Sequence, residues 1–242
     1  MKKFLFLFYI LITFSLIQVS CKKAEPKIIH FSEHFIYING FEDDISWKNA
    51  TWEPIPYNWL GDKTDSSDFT GKYKLLWDEK YLYVLAKIVD DNLLDTHFDD
   101  FDSYKDDDGL VIYIDEDASG GDHQYNHQAF AYHLNFNSKT VDLGTDSLPH
   151  YYEHCFTSIR QDNDTLMYEV VIRLFDKTYQ NDTLSKQVNL FDGKKIGFAI
   201  AYNDNDVSDN RENLFGSVDI EGDDKEIAEV NSDVFEKYIL KK

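Results

Sequence analysis

Residues 115 to 136 read DEDASGGDHQYNHQAFAYHLNF. Carboxylates and a Gly pair open the run, and histidines then alternate with aromatic rings. Four chemistries draw on such residues: an oxygen-ligand calcium loop, a histidine-bound transition metal, carboxylate acid–base catalysis, and a wall that stacks and hydrogen-bonds a sugar. For calcium, Asp115, Asp117, Ser119 and Gly120 have the spacing of the first half of an EF-hand loop. The position for a bidentate Glu is Asn126, however, and no helical pattern flanks the run. A simpler calcium site at a sheet edge stays open, with Asp115, Asp117 and Asp122 as candidate ligands. Asp90, Asp91 and Asp106 to Asp108 also fall at strand ends, and two or three of these carboxylates could converge. The competing reading is a solvated acidic rim.

His123 and His127 would share a face on a helix, but the pattern is not helical and no Cys pair accompanies them. Catalysis finds little support: acids are abundant, and there is no nucleophile elbow or Gly-rich phosphate loop. Glu169, within YEVVIRL, is the most enclosed acid. Pairing with Arg173 or a lysine accounts for it more simply than a raised-pKa catalytic role. Cys155 reads as a small buried hydrophobe. The wall remains. Tyr125, His127, Tyr132, His133 and Asn135 mix flat rings with short polar arms, as sugar recognition requires. Alternation over QAFAYHLNF puts Phe130, Tyr132, Leu134 and Phe136 on one face, read as core. His133 and Asn135, with Ala131, face the other way and are the better binding candidates.

The elements that must position these residues are short strands. KYKLLW and YLYVLAKIV flank Asp78-Glu79-Lys80 as a hairpin, and LVIYIDE, LMYEVVIRLF and KIGFAIAYND are further strands. LFDKTYQNDTL has room for one helical turn, and IAEVNSDVFEKYILKK reads as a last strand or a surface helix. Many short strands with polar loops predict an all-β fold, an antiparallel β-sandwich of immunoglobulin-like or jelly-roll-like type. The formal net charge of −21 opposes nucleic acid and anionic head groups, and suits neutral sugars and cations.

Lys2, Lys3 and the apolar run after them read as a secretory signal. Gln18-Val19-Ser20-Cys21 resembles a bacterial lipoprotein lipobox, which implies cleavage before Cys21 and a lipid on its thiol. The expected organisation is a signal peptide over 1–20, a lipidated Cys and tether over 21–34, and one domain over 35–242. The protein would then sit at the periplasm or cell surface, with membrane contact only through the Cys21 lipid. Cys155 would have no disulfide partner, and a monomer is the starting expectation.

The strong pieces also occur in a familiar order. YINGFEDDISWKNA, KLLWDEKYLYVLAKIVDD, YKDDDGLVIYIDED, LMYEVVIRLF and GKKIGFAIAYNDND followed by LFGSV together resemble family 9 carbohydrate-binding modules, over residues 36 to 218. The resemblance implies a β-sandwich that binds sugars without chemistry, often alongside polysaccharide-degrading enzymes. It further implies that reducing ends lie between aromatic rings, and that some members hold calcium. Tyr104 stands where sugar-binding members have a Trp, and His133 where they have a basic residue. Arg211 and Asn213 lie where a second Trp is expected, and Val111 replaces a Glu. The expectation is stacking by Tyr104 and Tyr125, with hydrogen bonds from Asp108, His127, His133 and Arg211. Rival readings are a haem site built on Met167 and His133, a surface-complex interaction protein, and a glycosidase with a suitable carboxylate pair.

Overall fold

The computed structural model of the chain describes residues 26–62, 68–97 and 103–242. The leader and Cys21 lie outside the described residues. The first half carries β1 (Lys27–Phe31), β2 (Glu53–Pro54), β3 (Tyr57–Leu60), β4 (Phe69–Trp77), β5 (Leu82–Asp90), β6 (Gly109–Asp115) and β7 (Phe130–Leu134). The second carries β8 (Thr140–Leu143), β9 (Pro149–Tyr151), β10 (Cys155–Asp162), β11 (Thr165–Ile172), β12 (Lys195–Asp204), β13 (Asn213–Gly216) and β14 (Glu236–Lys241).

The hydrogen-bonded order is β10-β11-β5-β4-β1-β14-β12-β6-β7-β8-β9, with β2 on β4 and β13 joining β12 to β3. One core cluster takes Leu75 and Trp77, Val84 and Ile88, and Tyr168 and Val170 from β4, β5 and β11. It takes Ile112, Tyr132 and Ile200 from β6, β7 and β12. The two halves of the path therefore face each other as a β-sandwich, sheet I (β10, β11, β5, β4) against sheet II (β14, β12, β6, β7, β8, β9). Each large apolar side chain sealed there contributes about 1.5–3 kcal/mol. The core face of β7 is as the alternation predicts, with Phe130, Tyr132 and Leu134 inside and Phe136 packed against them.

The turn residues act as their chemistry requires. Asp78 Oδ1 accepts from the backbone N–H groups of Lys80 and Tyr81, at 2.7 and 2.8 Å, and so closes the β4–β5 hairpin. β1 is parallel to both its neighbours, β14 and β4, whereas the other ladders are antiparallel. It seams the two sheets together, and it lies inside the span read as tether. LFDKTYQNDTL forms turns rather than helix: Asp176 and Asn181 accept backbone N–H groups two and three residues ahead. The carboxy-terminal segment is both alternatives in sequence, short 3-10 turns at Lys225–Glu229 and Ser232–Val234 and then β14.

Both outer faces are covered. On sheet I, Ile36 and Trp47 pack on Leu76, Tyr83 and Leu85. Glu169 anchors that cover, accepting from Trp47 Nε1–H at 2.9 Å and from the N–H groups of Asn39 and Gly40 at 2.8 and 3.0 Å. Gly40 holds φ +82°, and this turns its N–H toward the carboxylate. The expected pairing of Glu169 with Arg173 is thus corrected: Arg173 bonds Asp182 at 3.0 Å instead. On sheet II, Trp59, Leu214, Val218, Ile220, Ala228 and Phe235 pack on small residues including Ala131, Ala199 and Ala201. The Trp59 ring lies 1.9 Å from where a Cβ of residue 216 would stand, so this position takes only Gly.

Candidate functional site

The outer face of sheet II carries the polar cluster. β6 and β7 set Val111 opposite His133, and β12 brings Asn203 to the same end. The His133 side chain is 2% exposed. Its Nε2–H donates to Glu229 Oε2 at 3.3 Å, leaving Nδ1 as an acceptor lone pair, and that atom is buried without a partner. Burial lowers the His133 pKa, so the ring is neutral at pH 7. Tyr104 meets the imidazole edge-on, with ring centres 4.8 Å apart, and Lys105 Nζ lies 5.5 Å from the Tyr104 ring centre. Burial pushes the Tyr104 phenol up to about 12.

Glu229 arrives from the Lys225–Glu229 turn. It accepts from Lys105 Nζ at 2.6 Å and from Tyr113 Oη–H at 2.5 Å. Burial works against its charge, but Lys105 and His133 outweigh burial and hold it well below the usual carboxylate range. Arg211, its side chain 8% exposed, donates to Asn203 Oδ1 at 2.8 Å and pairs with Glu226. Asp142 lies within electrostatic range of Glu229 and Lys105, and burial raises it to about 8 against two backbone N–H donors. The site is therefore a partly buried ring, Tyr104, beside one neutral imidazole and one carboxylate, with Lys105 partly exposed and the Arg211 side chain largely buried next to them.

Beside it lies a second constellation. Carboxylate oxygens of Asp90, Asp108 and Asp204 all come within 4.8 Å of one another, and those of Asp68, Asp91 and Asp206 do likewise. Burial, then neighbouring Asp90, raises Asp108 to about 9 and Asp204 to about 7. Asp206 is raised to about 6 by burial and then by Asp91 and Asp68. An all-oxygen donor set that resists carrying its own charge fits a hard cation such as calcium.

The structure brings three predicted residues together, Tyr104, His133 and Arg211. Asp108 is corrected: its two oxygens accept from Leu94 N–H at 2.5 Å and Asn205 N–H at 2.7 Å, so it organises loops within the carboxylate cluster. Tyr125 stands on a separate turn, 44% exposed, at φ +56°, and is no part of this cluster. His127 lies at the far end of β7, bonded to the Tyr179 carbonyl. Asp115, Asp117 and Asp122 form no three-ligand group among the described residues. Their oxygens accept backbone N–H groups of their own loop, those of Gly120, Ser119 and Gln124. His123 bonds the Ala228 carbonyl, far from any shared ligand with His127. Met167 packs on the outer face of sheet I and His133 lies on that of sheet II, so the two cannot ligate one haem. Burial pushes the Cys155 thiol up to about 12, which fits a core residue.

Sequence reasoning missed Lys105, Tyr113, Asp142 and Glu229. Glu229 had no visible signal, because its turn is 118 residues away from Val111 in sequence and meets it only through the cover of sheet II. Asp204 sat in plain view at the end of KIGFAIAYND, at a strand end like the other acids.

A family model described as carbohydrate family 9 binding domain-like matches residues 38–242. Endo-1,4-beta-xylanase A of Thermoanaerobacterium saccharolyticum is 36% identical over 80 residues, which are 33% of this chain and 6% of the xylanase. The chain thus spans a small fraction of that enzyme. A family 9 carbohydrate binding module from Caldicellulosiruptor kristjanssonii in complex with glucose superposes with a TM-score of 0.65 at 22% identity, covering 89% of this chain and 96% of the module. A family 9 module of the same organism in complex with cellotriose gives 0.65 at 23% identity, over 89% and 94% of the two chains. These likenesses establish the sandwich.

Proposed function

The chain belongs to the carbohydrate family 9 binding domain-like family, and from that premise we propose that it holds a carbohydrate on the outer face of sheet II without transforming it. The observation that carries this reading is His133 Nδ1, a buried acceptor with no protein partner beside a partly buried ring. A sugar hydroxyl donates to Nδ1 while a C–H face of the ring stacks on Tyr104. Glu229 supplies from another segment the carboxylate that Val111 denies this face. Arg211 and Lys105 donate to further hydroxyls. No step of bond cleavage is assigned, since the matching family model is that of a binding domain.

Calcium at Asp90, Asp108 and Asp204 is the fitting cofactor. These residues tie the segment that carries Tyr104 and Lys105 to the one that carries Arg211. The chain is anchored through a lipid on Cys21, at the periplasm or cell surface, in a system that degrades or takes up polysaccharide. The lipobox resemblance supports the anchor.

Calorimetric titration of the full chain with glucose and cellotriose tests the binding reading. The expected Kd lies between roughly micromolar and millimolar, and Tyr104→Ala weakens it at least tenfold. No heat and no thermal shift with either sugar, or with a wider glycan panel, would sink it. Labelling in cells with a palmitate analogue tests the anchor: the wild type takes the label and Cys21→Ser does not.

A further inference from the structure

At the edge where β9 and β10 end the two sheets lies a cavity of about 270 Å³, walled by His127, Asp146, His150, Tyr151, Tyr152 and Tyr179. It lies at the opposite end of β7 from the Lys105–Glu229 pair, and the two sites share no lining residue. A second cavity of about 440 Å³ adjoins it across Tyr151 and Tyr152, next to Lys139 and Phe156.

His127 gives the first cavity its direction. Its ring stacks on Phe130, with centroids 5.3 Å apart and planes 15° off parallel, and meets Tyr179 edge-on at 5.0 Å. Nδ1–H donates to the Tyr179 carbonyl at 2.9 Å, which fixes the tautomer. Nε2 is therefore a lone pair, and it is buried with no protein donor. Burial lowers the pKa, so the lone pair persists at neutral pH. An acceptor left bare inside a fold is costly, so the lone pair calls for a donor. His127 forms one wall of the cavity, and its other walls are tyrosine rings and short polar arms.

We propose that this edge cavity is a second saccharide subsite, taking one sugar unit of a glycan whose hydroxyl donates to His127 Nε2 while its ring lies against Tyr151 and Tyr152. The acidic chain and the carboxylate of Asp146 at the rim disfavour phosphate or carboxylate ligands. A transition metal is disfavoured too, because among the described residues the three-ligand groups lie elsewhere. The adjoining cavity continues the groove for the next unit.

The test is ¹⁵N NMR of the full chain, labelled on histidine and on backbone amides, titrated with glucose, cellotriose and xylotriose. The expected result is a saturable upfield move of the His127 Nε2 resonance with at least one probe, together with amide shifts over residues 144–152. His127→Phe abolishes that response and leaves the Tyr104–His133 response intact, and Tyr104→Ala does the reverse. Tyr151→Ala, on the exposed wall, weakens the edge response at least tenfold should His127→Phe fail to fold. Shifts at the Tyr104 face with none at His127 for all three probes would overturn the edge subsite alone. Silence at both sites would overturn the proposed function as well, and edge shifts without Tyr104-face shifts would keep this inference while removing the other site.

Discussion

Each sheet holds a glutamate against its outer face, Glu169 fully buried and Glu229 with 11% of its side chain exposed, and the two are satisfied in opposite ways. Glu169 on sheet I takes its three donors from two backbone amides and an indole, with no cation among them. Those donors are fixed by the fold of residues 36–47 and cannot be lent to anything else. Glu229 on sheet II is held by an ammonium, a phenol and an imidazole, all on side chains, and the imidazole keeps a spare lone pair. Side-chain donors can rotate toward a ligand and return. A carboxylate bound by backbone marks a clamp, whereas one bound by mobile side chains beside an unmet acceptor marks a place built to receive something.

The clamp should give the largest effect. Glu169→Ala strands two backbone amides and an indole N–H in the dry cover of sheet I, and leaves a void. We expect roughly 3–5 kcal/mol of lost stability by denaturant unfolding, from unsatisfied donors plus the cavity. Sugar affinity of the fraction that stays folded should be unchanged. A loss below 1 kcal/mol would mean that Glu169 is no anchor and would collapse the contrast. Calcium comes next. If it occupies the Asp90, Asp108 and Asp204 cluster, calcium at a hundredfold excess over its Kd adds about 2.7 kcal/mol by mass action. Chelator should lower the thermal midpoint, weaken sugar binding, and raise amide exchange over residues 103–109 and 204–213. It should spare the clamp at 36–47, and equal loosening of both regions would show that the cation does not favour the sheet II face.

The sequence made the clamp half legible. Asn39-Gly40, Trp47 and Glu169 all stand in recognisable strings, and the alternation in QAFAYHLNF placed Tyr132 inside and His133 outside. What it could not show is partnership across long separations. Arg173 was the nearest cation to Glu169 in sequence, yet the chain folds an indole and two amides onto that carboxylate instead. Asp115, Asp117 and Asp122 looked like ligands because their spacing is that of an Asp-rich loop. The same spacing also suits carboxylates that cap their own turn, and that is how they are used. Glu229 was illegible because a lone acid in a short turn gives no sign that its side chain will meet Lys105, Tyr113 and His133.

Lys105→Met sharpens the other side of the contrast. It removes the cation from Glu229 and leaves a carboxylate 11% exposed. Breaking a fully buried pair costs about 3–5 kcal/mol, but Lys105 itself is 31% exposed, so a discounted loss of roughly 1–2 kcal/mol is expected. Unlike Glu169→Ala, this change should also weaken sugar binding. Stability loss with unaltered affinity would make Glu229 a second clamp.

The smallest expected effect concerns the proton on His133. The groups facing it are Glu229, Lys105, Arg211 and the Tyr104 ring. Burial sets its folded pKa below the ordinary value of 6.5, against the pull of Glu229. Between that lowered value and 6.5 the unfolded chain holds more protons than the folded one, so stability rises with pH through the window and is lost as pH falls below 6.5. The stability gap between wild type and His133→Gln should therefore be constant from pH 8 to 7 and shift against the wild type below 6.5. Protonation also fills Nδ1, so wild-type sugar affinity should fall as pH drops through the lowered folded pKa, beneath the window in which stability changes, with His133→Gln weak and flat throughout. A binding curve that stays level even below the pH at which the stability gap stops changing would show that His133 only packs the face. The receiving lone pair would then have to lie elsewhere on the molecule.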